Sequence, residues 1–153
     1  MKSFGEAGMP IEVLLVEDSP GDVLLTQEAF RAANGAVHLH VASDGVVAMA
    51  FLRREGAYVQ APRPDLILLD LNLPKMDGRE VLALIKADKS LKLIPTVILT
   101  TSGAEGDIVK SYQLQANSYI SKPVQLEAFE SVVKSINDYW MTKVKLPAQE
   151  HDR

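Results

Sequence analysis

Five short apolar runs rich in β-branched residues, separated by helix-length amphipathic stretches, constrain this chain more than any other feature. They lie at residues 11–16, 37–41, 66–69, 96–99 and 118–120. Leu66-Ile67-Leu68-Leu69 and Val97-Ile98-Leu99 are apolar at every position, as expected of parallel strands covered by helices on both faces. His38-Leu39-His40-Val41 alternates instead, the pattern of an edge strand with one wetter face. Helix starts are legible between the runs. Ser19-Pro20 sets a capping hydroxyl before a proline at the first helical position. Asp77 with Glu80, and Ser102 with Glu105, have capping-box spacing. Leu126, Phe129, Val133, Ile136 and Trp140 form one apolar stripe at helical steps. Five alternating strand–helix pairs predict an α/β fold with one sheet and helices on both faces. Residues 55–64, with Gly56, Pro62 and Pro64, read as a long loop.

The 153 residues suit one domain and can bury about two-thirds of the unfolded chain's surface. A hydrophobic share of 47% rules out wholesale disorder. No apolar run nears the roughly 18–20 residues of a membrane span, and the first ten residues hold no apolar block of a signal peptide. Without cysteine there is no disulfide, thiolate metal site or thiol nucleophile. Sixteen basic against twenty acidic residues, net −4, argue against bulk electrostatic binding to nucleic acid or acidic membranes. The expected organisation is an N-terminal extension (1–9), one domain (10–141) and an aperiodic tail (142–153), in a cytoplasmic protein. Too few residues follow 141 for an output module.

In an open α/β sheet, ligands bind beyond the carboxyl ends of the strands. There the sequence places Glu17-Asp18 after the first strand, Asp70 after the third, Thr100-Thr101 after the fourth and Lys122-Pro123 after the fifth. Two unit negative charges about 4 Å apart repel by about 4 kcal/mol at an effective dielectric of about 20. Three crowded carboxylates therefore call for a cation, and an all-oxygen site suits Mg²⁺, with Mn²⁺ as a substitute. Either Glu17 or Asp18 alone would pass as an acid at a helix N-terminus. Asp70 is a competent nucleophile toward phosphoryl groups, and a divalent ion with the Lys122 ammonium would neutralise the transferred charge. Thr100 is either an ordinary strand threonine or a hydroxyl that follows the phosphoryl oxygens.

These residues resemble the receiver domain of two-component response regulators: Glu17-Asp18, Asp70-Leu71-Asn72-Leu73-Pro74-Lys75-Met76-Asp77-Gly78, Thr100 and Lys122-Pro123. The resemblance spans roughly residues 10–140. It implies a flavodoxin-like (βα)5 fold, five parallel strands in the order 2-1-3-4-5, and phosphoryl transfer from a histidine kinase to Asp70. It also implies Asp18 as a direct metal ligand, Glu17 as its water-bridged partner and Asn72 as a main-chain ligand. Thr100 becomes the switch hydroxyl, Lys122 the phosphate partner and Tyr119 an aromatic switch, against the plainer reading of Tyr119 as a half-exposed edge-strand aromatic. A cis peptide at Lys122-Pro123 belongs to the same pattern. Arg53-Arg54-Glu55-Gly56-Ala57-Tyr58, the stretch 63–74, and Tyr139-Trp140 through Lys145-Leu146-Pro147-Ala148 look like the small, dimeric receiver-only regulators paired with cyanobacterial phytochromes. One departure is Gln115, where many receivers have glycine at a helix end; glutamine is less tolerant of a left-handed backbone.

The leading expectation is thus a phosphorylation-driven switch, not an enzyme, acting through protein contacts. The alternatives are a receiver-shaped scaffold that is never phosphorylated, and a metal-dependent phosphatase using Asp70. The phosphatase reading suffers from Asn72, an amide where a general acid would stand. Tyr139, Trp140 and Leu146 are candidate homodimer contacts, although Trp140 could equally close the core. His38, His40 and His151 lack ligand-like spacing and read as structural or solvent-facing.

Overall fold

The computed structural model describes residues 10–33, 35–100 and 118–143, with side chains at 100 and 136–143 outside that description. Five parallel strands, β1 (Ile11–Val16), β2 (Val37–Ala42), β3 (Leu66–Asp70), β4 (Thr96–Thr100) and β5 (Ser118–Ser121), form one sheet in the order β2-β1-β3-β4-β5. The described helices are α1 (Pro20–Arg31), α2 (Gly45–Arg53), α3 (Gly78–Ala87) and α4 (Leu126–Lys143). The Ser102–Glu105 helix start and Gln115 lie outside the described residues, as do residues 1–9 and the tail beyond 143.

Because strand side chains alternate between faces, each apolar run divides between two cores. Leu14, Val16, Ile67, Leu69 and Ile98 join Ala48, Leu52, Val81 and Ile85 of α2 and α3. Val13, Leu15, Leu66, Leu68, Val97 and Leu99 join Phe30 of α1 and Phe129 and Val133 of α4. The two phenyl rings meet at 4.4 Å between centroids, tying α1 to α4. Two-sided cover explains why Leu66–Leu69 and Val97–Leu99 carry no polar residue. β2 lies at the edge, as its alternation predicted, with His38 exposed.

The helix entries follow their capping residues. Ser19 accepts the Asp22 N–H at 3.2 Å, with Pro20 opening α1. Asp44 accepts the Val47 N–H at 2.8 Å. Asp77 caps α3 by accepting the Arg79 N–H at 2.8 Å. The 55–64 loop contains a 3₁₀ turn, Gly56–Tyr58. It is held by Tyr58 against Phe51 and by a hydrogen bond donated by Arg54 Nε to the Ala61 carbonyl at 2.9 Å. From β1 the chain steps one way to β2 and the other way to β3, so the order reverses between β1 and β3. The crevice of a doubly wound sheet opens at their carboxyl ends.

Candidate functional site

Glu17 and Asp70 meet at that crevice. Glu17 directly follows β1, and its N–H still bonds to the Ala42 carbonyl at 3.0 Å, so it is held as an extension of the strand. Asp70 is the last residue of β3. Both are buried, while Asp18 is exposed. One oxygen from each of Glu17, Asp18 and Asp70 lies within 4.8 Å of the others. Lys122, just beyond β5, enters from the far side of the sheet. Its Nζ is 2.8 Å from Glu17 Oε1, 3.0 Å from Asp70 Oδ2 and 3.3 Å from Asp22 Oδ2. The peptide between Lys122 and Pro123 is cis. Four of the rim residues expected from the sequence, Glu17, Asp18, Asp70 and Lys122, are thus brought together. Thr100 ends β4 beside Ser121 of β5, its side chain outside the described residues, where Thr101 also falls.

The loop after β3 is shaped by close packing. A Cβ on Gly78 would stand 2.3 Å from the Asp70 carbonyl oxygen and 2.5 Å from Leu71 Cα. The Gly78 N–H bonds to the Leu71 carbonyl at 3.0 Å, closing the loop on itself. Across the loop, Lys75 adopts φ 65 and pairs with Asp44 at 3.5 Å. A Cβ on Gly45 would come 2.3 Å from the Met76 carbonyl oxygen. Thus α2 and α3 pin the segment that carries Asn72, whose N–H donates to Asp70 Oδ1 at 3.0 Å. Among the described residues, each Asp70 oxygen has one donor: the Asn72 N–H to Oδ1 and the Lys122 ammonium to Oδ2.

The electrostatics are those of excess negative charge around one cation. Burial pushes the Glu17 carboxyl above its ordinary range; Lys122 opposes this, and the Asp70 charge adds to it. Burial works against the Lys122 ammonium, but the Glu17 and Asp70 carboxylates beside it outweigh this and raise its pKa. Glu17 Oε2 accepts the Ser19 N–H at 3.2 Å. Its buried Oε1, though near Lys122, has no hydrogen bond of suitable angle. The three-acid, all-oxygen cluster, with more negative charge than the Lys122 ammonium balances, fits a hard divalent cation.

Two features were not anticipated. Asp22, in the first turn of α1, is the third carboxylate on Lys122; acids are common there for the helix dipole, so nothing in the sequence marks it. Glu12 lies between His38 Nδ1 at 3.1 Å and His40 Nε2 at 2.7 Å, giving those histidines a structural partner across the β1–β2 register. Tyr119 is 40% exposed on β5. Tyr139 and Trp140 fall on α4 with side chains outside the described residues, and Leu146 lies outside altogether.

Residues 13–134 match the response regulator receiver domain. Response regulator Rcp1 of Synechocystis sp. is 48% identical over 143 residues, covering 94% of this chain and 97% of that protein. The phosphorylated cyanobacterial phytochrome response regulator RcpA is similar in structure, with TM-score 0.72 and 49% identity over 90% of this chain and 99% of that one. The Mn²⁺-bound form of Rcp1 gives TM-score 0.70 and 49% identity over 91% and 100%. Receiver domains bind Mg²⁺, and the cluster of Glu17, Asp18 and Asp70 fits such a site.

Proposed function

The chain belongs to the response regulator receiver domain family, and from that premise we propose that Asp70 accepts a phosphoryl group from a histidine kinase of the phytochrome class. The observation that carries this reading is the convergence on Asp70 of one ammonium and two further carboxylates from separate strand ends. An Asp70 carboxylate oxygen attacks the phosphorus of a phosphohistidine; the O–P bond forms, the N–P bond breaks, and the imidazole leaves with the electron pair. The chain's own groups prepare each part. The Asn72 N–H fixes Oδ1, and Lys122 both orients Oδ2 and stands ready to pair with the arriving phosphoryl oxygens. Glu17, Asp18, Asp70 and the Asn72 carbonyl would hold Mg²⁺, which neutralises phosphoryl charge when bound. Thr100 and Thr101 are the hydroxyls offered to the phosphoryl group, and Tyr119, opposite Ile98 on β5, follows their movement.

In this reading the unit from 10 to 141 acts in the cytoplasm as a switch rather than a turnover enzyme. It signals through protein contacts, including a homodimer formed around Tyr139, Trp140 and Leu146. Among the described residues, no helix is long and apolar enough to cross a membrane. Labelling with acetyl phosphate tests the proposal: phosphoryl incorporation should need Mg²⁺ and map to Asp70. No incorporation would favour an unphosphorylated scaffold, and incorporation indifferent to metal would remove the cation from this reading. Mass in solution tests the dimer: unchanged mass for both Tyr139→Ala and Leu146→Ala would remove these contacts.

A further inference from the structure

We infer that Asp22 sets the charge balance of the site, strengthening its hold on a divalent cation at the expense of the phosphoryl group. The inference rests on the reading of Asp70 as phosphoacceptor. Lys122 Nζ faces three carboxylates, and they are not equivalent. Glu17 and Asp70, with side chains 1% and 8% exposed, also belong to the tight acidic cluster. Asp22 does not; it stands 3.3 Å from the ammonium on the solvent side, with its side chain 36% exposed. Its backbone is fixed independently of that contact. Its N–H donates to Ser19 Oγ at 3.2 Å, and its carbonyl accepts from Thr26 Oγ1 at 2.9 Å. The first turn of α1 therefore aims the carboxylate at Lys122 with no metal-binding role of its own.

Among the described residues, three carboxylates thus share this ammonium, and Asp18 adds a fourth negative charge to the cluster. Phosphorylation turns the single charge on Asp70 into the double charge of an acyl phosphate, so the local excess grows by one unit. Asp22 repels that unit from across the ammonium and holds part of the ammonium's charge that the phosphoryl oxygens would otherwise use. The same carboxylate attracts a divalent cation. Its two effects have opposite signs, as a charge demands and a packing role does not.

The experiment uses the full chain, with calorimetric titration of Mg²⁺ alone and of beryllofluoride, a phosphoryl mimic, at saturating Mg²⁺. Asp22→Asn should bind Mg²⁺ roughly tenfold more weakly and beryllofluoride several-fold to tenfold more tightly, the scale of a single charge acting through partial solvent screening. Asp22→Glu should restore both, and both effects should shrink at high salt. Weakening of both ligands would assign Asp22 a purely positioning role and overturn the inference. So would no change in either, or failure of the glutamate variant to restore them. Failure of the wild-type chain to bind beryllofluoride would instead overturn Asp70 as acceptor, and the inference with it.

Discussion

Replacing Lys122 by methionine keeps most of the side chain's length and removes the charge on which the site's carboxylates depend. In the wild-type protein the ammonium stands 2.8 Å from Glu17 and 3.0 Å from Asp70. Without it, Glu17 either remains charged beside Asp70 or takes up a proton, and protonation sets a ceiling on the damage. Raising the carboxyl from its ordinary value of 4.5 to pH 7 spans about 2.5 units at about 1.4 kcal/mol each, so the Glu17 share of the loss is at most about 3 kcal/mol. That lies at the lower end of the roughly 3–5 kcal/mol lost when a buried pair is broken. Above pH 4.5 the variant's folded state binds more protons than its unfolded state, so its stability falls as pH rises. The Lys122 pKa is raised, so the wild-type ammonium contributes fully at every pH below 10.5. The Glu17 part of the deficit should therefore narrow toward acid, where the variant's carboxyl takes up a proton at little cost, and Mg²⁺ should reduce the deficit at pH 7. Urea unfolding followed by circular dichroism, in chelator and in Mg²⁺, measures both. Equal stability at pH 7 in chelator, or a deficit indifferent to pH, would refute the reasoning.

Gly78→Ala should destabilise the fold by about 1–3 kcal/mol, the usual range for overpacking, because the new methyl meets the Asp70 carbonyl and Leu71 Cα. It should also slow Asp70 labelling by acetyl phosphate; denaturant midpoints and labelling rates check the two effects. Burial works against the Glu12 carboxylate, but hydrogen bonds from His40 and His38 outweigh it and lower its pKa. Its contribution is present above about pH 4.5 and lost as pH falls through the depressed value. Glu12→Gln should cost up to about 1 kcal/mol at neutral pH, as for an exposed pair, and nothing in acid. Unfolding at pH 7 and pH 3 measures this.

How much the sequence reveals depends on whether a constraint is local. Leu66-Ile67-Leu68-Leu69 had to be a buried strand because both its faces meet helices. Ser19-Pro20 had to start a helix, and Asp70 and Lys122 had to reach the same rim once their strands were parallel. The strand order rested on family likeness, since nothing in the residues themselves chooses β3 over another neighbour for β1. Asp77 was legible as a cap, but its partner is the Arg79 N–H. Asp22 escaped notice because its partner is 100 positions away and an acid in a first helical turn needs no explanation. The Glu12 contacts with His38 and His40 depend on cross-strand register, which spacing along one strand cannot reveal. The tight seats of Gly45 and Gly78 likewise appear only when the loop after β3 is folded against α2 and α3.

The central claim is that a buried carboxylate at the end of β3 takes the phosphoryl group. Phosphotransfer from an autophosphorylated histidine kinase in the presence of Mg²⁺, read by intact mass on the wild-type chain and on Asp70→Asn, tests it most directly. The account predicts one phosphoryl adduct on the wild type and none on the variant. Undiminished labelling of Asp70→Asn would contradict it.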